Sequence, residues 1–247
     1  MSDAVVIIPT YNEIENIDAI IDAVMALEPS FDVLIVDDAS PDGTAQHVRA
    51  KMREYPGRVH MLEREGKQGL GTAYIAGFRR ALEEPRYKYI IEMDADFSHN
   101  PADLPRLREA CTPDGGGADV AVGSRYITGV NVVNWPMGRV LMSYYASVYV
   151  RIVTGMHVRD TTAGFVCWRR EVLQTIDLGA IRFKGYAFQI EMKYKAIEHG
   201  FKVVEVPIVF VNRVLGTSKM SSGIFSEAVF GVMQLRLAHL WRRLRGK

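Results

Sequence analysis

Two aspartates one residue apart, in Met93-Asp94-Ala95-Asp96, end the apolar run Tyr89–Met93. Paired carboxylates at the end of a strand can hold a divalent cation against the phosphates of a bound substrate. Magnesium and manganese favour such hard oxygen ligands and keep water or phosphate in their remaining positions. A reading without ligand is that Asp94, Asp96 and Asn100 cap a helix starting at Pro101. A second acidic pair, Asp37-Asp38, ends another apolar run and opens Ala39-Ser40-Pro41-Asp42-Gly43-Thr44. Carboxylates so placed can accept hydrogen bonds from the base or ribose of a nucleotide. Ser40, Asp42 and Gly43 equally suit a turn with a helix cap, and the two roles are compatible. Gly66-Lys67-Gln68-Gly69-Leu70-Gly71 matches neither GxxxxGK(S/T) nor GxGxxG. It reads as a turn of close backbone approach, with phosphate contact secondary.

The basic residues are informative through their placement. Arg125 follows the run ending Val122-Gly123-Ser124. Arg139 opens a tyrosine-rich helix, with Ser143 four residues on and therefore on the same face. Arg213 and Lys219 flank a loop containing Gly216, Thr217 and Ser218. Taken singly, each is more often a solvated surface charge. Arginine, however, suits bidentate phosphate binding better than lysine, and two phosphate groups brought together need cations from several directions.

These residues hang on alternating elements. Ala4–Ile8, Asp32–Asp37, Val59–Leu62, Tyr89–Met93 and Ala118–Val122 read as buried strands. Ile14, Ile17, Ile20, Ile21, Val24 and Leu27 mark one face of a helix between the first two. Thr44–Tyr55, Thr72–Leu82 and Pro101–Ala110 are further helices, and the alternation predicts an α/β fold with a mostly parallel sheet covered on both faces. In the second half, Met137–Thr154, Ala187–His199 and Ile224–Leu244 are expected as helices. Thr162–Trp168 and Phe201–Val211 are expected as strands, with Pro207 marking an edge or bend.

The 247 residues carry a formal net charge of +1, a balance unlike that of a general nucleic-acid binder, so no nucleic-acid partner is expected. Cys111 and Cys167 form no CxxC unit, which fits a reducing cytosol better than a disulfide framework. The N-terminus has no signal-peptide pattern, and no run approaches the ~18 apolar residues of a membrane span. From Val214 to Lys247 there are six basic residues and one acid. With apolar residues at helical spacing and Trp241, this tail either packs on the core or lies on an anionic membrane surface.

Six ordered blocks together resemble the family 2 glycosyltransferases with a GT-A fold, in particular the dolichyl- or polyprenyl-phosphate mannose synthases. They are Ile7–Glu13, Val36–Thr44, Gly69–Tyr74, Met93–His99, Gly123–Tyr126 and Lys184–Met192, completed by Arg213, Gly216, Ser218 and Lys219. The resemblance implies a catalytic domain over residues 1–219, followed by an amphipathic basic helix over residues 220–247. It implies that Pro9, Tyr11, Glu13, Val36 and Asp38 line the nucleotide pocket, and that Asp94, Ala95 and Asp96 meet the donor diphosphate and a Mg2+ or Mn2+ ion, with Ser98 a further ligand. Arg213 and Lys219 would close over the donor phosphates, while Arg125, Arg139 and Ser143 would bind the acceptor phosphate. Asp96, Arg125 and Arg139 are thereby the expected catalytic residues. The implied reaction is mannosyl transfer from GDP-mannose to a polyprenyl (dolichyl) phosphate with inversion, by a peripheral protein on the cytoplasmic face of a membrane. Small membrane subunits, required by some relatives, remain open. The alternatives are a UDP-sugar-dependent polyprenyl-phosphate glycosyltransferase and a non-catalytic nucleotide-sugar-binding subunit of a membrane complex.

Overall fold

The apolar runs of the first half lack alternation because both faces of their strands are covered. β1 (Ala4–Thr10), β2 (Asp32–Asp37) and β4 (Tyr89–Glu92) are buried almost throughout, as a parallel sheet between two helical layers requires. β3 (Val59–Glu63) and β5 (Val120–Ser124) complete the expected set. The structure is a computed structural model that describes residues 2–212 and 231–237.

α1 (Ile17–Met25) turns Ile17, Ile20, Ile21 and Val24 inward, and α2 (Thr44–Glu54) and α3 (Leu70–Leu82) follow at the expected places. The helix expected over Pro101–Ala110 is two pieces, a 3-10 turn at Pro101–Asp103 and α4 (Leu104–Cys111). Pro105 has no N–H to bond back to the carbonyl of Pro101, so a continuous α-helix cannot begin there.

Seven strands form one sheet in the order β3-β2-β1-β4-β7-β5-β8, where β7 is Val166–Arg169 and β8 is Val203–Pro207. Only β7 runs antiparallel to its neighbours. The chain winds outward from β1 to β3, then returns to place β4 on the other side of β1. This reversal opens a crevice beyond the carboxyl ends of β1 and β4, where α/β sheets bind ligands. Both acidic pairs emerge there, since Thr10 is opposite Asp37 and the N–H of Met93 bonds to Ile7 O at 3.1 Å.

The second half departs from expectation in two strands. β7 begins at Val166 instead of Thr162, because the carbonyls of Thr161 and Ala163 accept from the buried Lys193 ammonium outside the ladder. Phe201–Val211 is broken after Pro207, leaving β8 on the sheet edge and β9 (Phe210–Val211), which pairs with β6 (Val132–Val133) in a small separate sheet. α5 (Met137–Thr154) is as expected, and α6 (Arg170–Thr175) and α7 (Tyr186–Glu198) complete the elements. Residues 231–237 are helical and bury Val232 with Val150, Met156, Ile190 and Tyr194. That stretch of the tail therefore packs on α5 and α7. The remainder of the expected Ile224–Leu244 helix, with Trp241, lies outside the described residues.

The core has two faces. α3 and α7 cover Val5, Ile7, Leu34, Val36 and Trp168 with Tyr74, Phe78 and Phe188. α1, α2 and α4 cover Val6, Ile8, Val33 and Ile35. The glycine-rich loop supplies the close approach its composition implies: Gly69 has φ +106°, and the N–H of Gly71 bonds to Lys184 O at 2.8 Å. A Cβ on Gly71 would stand 2.7 Å from the Phe188 ring. Gly71→Ala should therefore lower the unfolding free energy in urea by about 1–3 kcal/mol; an unchanged midpoint would mean that α3 and α7 are not packed this closely.

Candidate active site

The nucleotide side of the crevice is two stitched loops. The N–H groups of Asn12, Glu13 and Ile14 donate to Ser40 Oγ, Thr44 Oγ1 and Asp42 Oδ2 at 3.0, 3.1 and 3.1 Å. Burial opposes the ionisation of Asp42, but hydrogen bonds from Thr44 and Ile14 outweigh it and hold the carboxyl below its ordinary range. The two acids of the first pair divide their work. Asp37 accepts from the hydroxyls of Thr10 and Ser40 at 2.8 and 2.6 Å and from the Ser40 N–H at 3.0 Å, so it builds the turn. Asp38 receives Arg64 as a fork, Nε to Oδ1 at 2.6 Å and Nη2 to Oδ2 at 2.7 Å. Arg64 carried no sequence signal, because only the fold brings it to Asp38. Pro9, Tyr11 and Glu13 are half-buried along the mouth, and Lys67 lies over the Tyr11 ring at 5.1 Å. Val36, expected to line the pocket, is wholly enclosed at 0% exposure in the core beneath α3.

In the Asp94–Asp96 turn neither acid caps the helix that follows. Asn100 alone caps the following 3-10 turn, accepting from Ala102 N–H at 3.1 Å. Asp94 accepts from the buried Tyr74 hydroxyl at 3.4 Å. Asp96 accepts from the N–H of Ser98 at 3.1 Å and from its hydroxyl, so Ser98 orients this carboxylate. The left-handed φ of +57° at Phe97 makes that return possible, and such strain in a non-glycine residue gathers at functional loops. Ala95 is buried between the acids. His99 stacks on Phe165 at 4.8 Å, and its Nδ1 accepts from the Asp94 N–H at 3.3 Å. Burial pushes its pKa down to about 4, against the pull of Asp96, so the imidazole is neutral near pH 7. Two carboxylates and an adjacent hydroxyl form an all-oxygen donor set, which fits a hard divalent cation that completes its shell with phosphate.

The residues expected on the acceptor side converge on the same turn. The N–H of Val211 donates to Ser98 O at 3.3 Å, and the Phe210 ring meets His99 edge-on at 5.4 Å. Phe210 and Trp135 both face the Arg125 guanidinium at 5.6 Å. Arg139 lies 4.0 Å over Trp135 and donates to Asn212 Oδ1 at 3.0 Å. Ser143 Oγ accepts from the Tyr126 hydroxyl at 2.8 Å. Expected to face a phosphate, Arg125 is instead buried against Asp160, with Nε to Oδ2 at 2.7 Å and Nη2 to Oδ1 at 2.6 Å. Burial opposes the Asp160 charge, yet Arg125 holds its carboxyl below the ordinary range. Sequence reading missed Asp160, and it missed Trp135, whose Nε1 is buried without a hydrogen-bond partner among the described residues. Arg213 and Lys219 lie outside the described residues.

Beneath the turn runs a buried polar chain. Glu92, the last residue of β4, accepts from Trp168 Nε1 at 2.6 Å and from the Gln189 amide. Lys193 Nζ, fully buried, donates to the carbonyls of Ala163, Gln189 and Thr161 at 2.6, 3.1 and 3.3 Å. Burial raises Glu92 to about 7 and lowers Lys193 to about 8.

The fold, a mostly parallel sheet between helical layers, is that of the GT-A class of sugar-nucleotide transferases. The sequence matches glycosyl transferase family 2 over residues 5–177, and the chain belongs to that family. It is 48% identical over 241 residues to the undecaprenyl-phosphate mannosyltransferase of Micrococcus luteus, covering 98% of this chain and 97% of that protein. It is 47% identical to the polyprenol monophosphomannose synthase of Mycolicibacterium smegmatis, covering 98% and 89%. Glucosyl-3-phosphoglycerate synthase from Mycobacterium tuberculosis, solved with Mn2+, uridine diphosphate and glucosyl-3-phosphoglycerate, superposes with a TM-score of 0.67 at 17% identity, over 94% of this chain and 79% of that one. That likeness shows the GT-A fold.

Lys193 makes the buried chain testable. Between about pH 8 and the ordinary 10.5, the folded protein has released a proton that the unfolded chain still holds, so its contribution to stability rises with pH. Lys193→Met should flatten this rise by up to ~1.4 kcal/mol per pH unit in urea titrations. Parallel wild-type and variant curves would place Lys193 in a solvated setting.

Proposed function

We propose that this chain transfers mannose from GDP-mannose to a polyprenyl phosphate, with inversion at the anomeric carbon. One observation carries the reading: β9 joins the Asp94–Asp96 turn to the Trp135–Arg139 surface, which supports a donor diphosphate and an acceptor phosphate meeting in one crevice. The names of the two mannosyltransferase relatives support the sugar and the lipid acceptor.

The reaction forms a bond from an acceptor phosphate oxygen to the anomeric carbon as the bond from that carbon to the GDP diphosphate breaks. The attacking oxygen is anionic near neutral pH, so no side chain has to remove a proton from it. The difficulty is repulsion between two anions. Asp94 and Asp96 would hold Mg2+ or Mn2+, which supplies charge stabilisation to the departing diphosphate. Arg139 would meet the acceptor phosphate with its cation already steadied by the Trp135 face, and the Trp135 N–H, unpartnered among the described residues, would supply a donor. Arg125 would act one step back, fixed by Asp160 and setting the positions of Trp135 and Phe210. Tyr11, Glu13 and Asp38 would receive the nucleoside, and Arg213 and Lys219 would close over the donor phosphates. The lipid acceptor supports a peripheral position on a membrane, here assigned to its cytoplasmic face, with the basic tail near that surface.

Asp96→Ala should abolish metal-dependent turnover, a loss of at least about a hundredfold, with an unchanged circular dichroism spectrum; normal metal-dependent turnover would remove Asp96 from the site. Arg139→Ala should raise the apparent KM for the lipid phosphate about tenfold or more and leave GDP affinity alone, and the reverse pattern would exchange the two halves of the crevice. Mass spectrometry of the lipid product from mixed GDP-mannose, UDP-glucose and UDP-N-acetylglucosamine should find a single phosphomannose, whereas a glucosyl or N-acetylhexosaminyl product would favour the UDP-sugar alternative.

A further inference from the structure

From Tyr126 to Arg159 the sequence contains no Asp, Glu or Lys, while Arg139, Arg151 and Arg159 all lie there. Eight of the fourteen large apolar side chains exposed among the described residues fall within Val130–Ile152, far more than so short a stretch should carry by scatter. α5 gathers most of them. Met137, Leu141, Tyr145, Val148 and Ile152 recur every three or four residues and share one face of a helix about 27 Å long. Met137, Tyr145 and Ile152 are 70%, 62% and 77% exposed. The buried residues of the same helix, Ser147, Val150 and Thr154, lie on the opposite side, toward α7. Arg139 and Ser143 are turned away from the apolar stripe.

A stripe of this kind needs a cover, and charge decides among the candidates. A second copy of the chain would oppose the acid-free stretch with itself. Residues 213–230 and 238–247 are also basic, with Arg213, Lys219, Arg242, Arg243, Arg245 and Lys247 against Glu227 alone. Either occupant would set like charges together. An anionic surface with an apolar interior satisfies both demands, and the tyrosines suit its boundary.

We propose that the exposed face of α5 docks this protein in the plane of an anionic lipid bilayer. The docked helix then holds its inward residues, Arg139 and Ser143, at headgroup depth. The inference deepens the functional reading by naming the surface from which a lipid phosphate would reach the site, but the docking itself needs no turnover.

The test uses the full chain and flotation with vesicles of phosphatidylcholine alone or with phosphatidylglycerol, none containing an acceptor lipid. Wild type should bind the phosphatidylglycerol vesicles, release in high salt and bind poorly to phosphatidylcholine. The double variant Leu141→Asp with Ile152→Asp should lose binding by about tenfold or more while keeping its melting temperature, because both side chains are solvent-facing. It should also keep turnover on a short-chain, water-soluble polyprenyl phosphate. Vesicle binding equal to wild type would overturn the proposal. So would binding lost only in Arg242→Ala/Arg243→Ala/Arg245→Ala, or a lipid-free dimer dissolved by the double variant. If no acceptor were ever glycosylated but the double variant still lost binding, the functional reading would fail and the docking face would stand.

Discussion

The fork between Arg125 and Asp160 joins parts of the chain that otherwise have no reason to meet. Arg125 leaves the end of β5, Asp160 begins the turn ahead of β7, and the backbone N–H of Arg125 is bound to the same carboxylate at 2.9 Å. The guanidinium then presents its face to Tyr126, Trp135 and Phe210. Phe210 in turn touches His99 beside the paired aspartates. A buried ion pair contributes little net stability against its desolvation cost, and removing one partner is far more costly than the pair is worth. Its value here is positional: one desolvated contact sets the spacing between the Asp94–Asp96 turn and the start of α5.

The same logic extends below the crevice. Lys193 closes the turn after Asp160 by its carbonyls, while Gln189, one helical turn earlier on α7, holds Glu92 at the foot of the aspartate turn. α7 thus touches both halves of the site through polar groups that are fully enclosed. Such a chain tolerates little relaxation, because a displaced member leaves a buried charge unpaired. That rigidity suits a site whose problem is electrostatic, since preorganised dipoles and charges stabilise a reacting group without reorganising.

The outer side of the molecule follows a different physics. α5 contributes Arg139 and Ser143 to the crevice, yet most of its surface is apolar and uncovered, and its inward anchor is confined to the half that meets α7 and residues 231–237. One helix therefore serves both the crevice and the surface, with Arg139 and Ser143 on one side and the apolar stripe on the other.

How much of this was legible beforehand depends on range. The unbroken apolar runs and helical periods sufficed for the parallel sheet, since burial on two faces leaves a local signature, and the six ordered blocks sufficed for the family. The paired aspartates could be located for the same reason, being contiguous and at a strand's end. Even there the sequence left two readings open, and only the structure showed that Asn100 caps the following turn while Asp94 and Asp96 do not. Where β7 begins was not legible, because the preceding carbonyls are claimed by a lysine some thirty residues away in the chain. Nor was the fate of Val36, whose pocket position in the family pattern gives way to enclosure under α3. The pairing of Arg64 with Asp38 and of Arg125 with Asp160 was decided only in three dimensions. A side chain's type declares which partners it can take; which one it meets depends on strand order and on the turns that bring distant residues within hydrogen-bond reach.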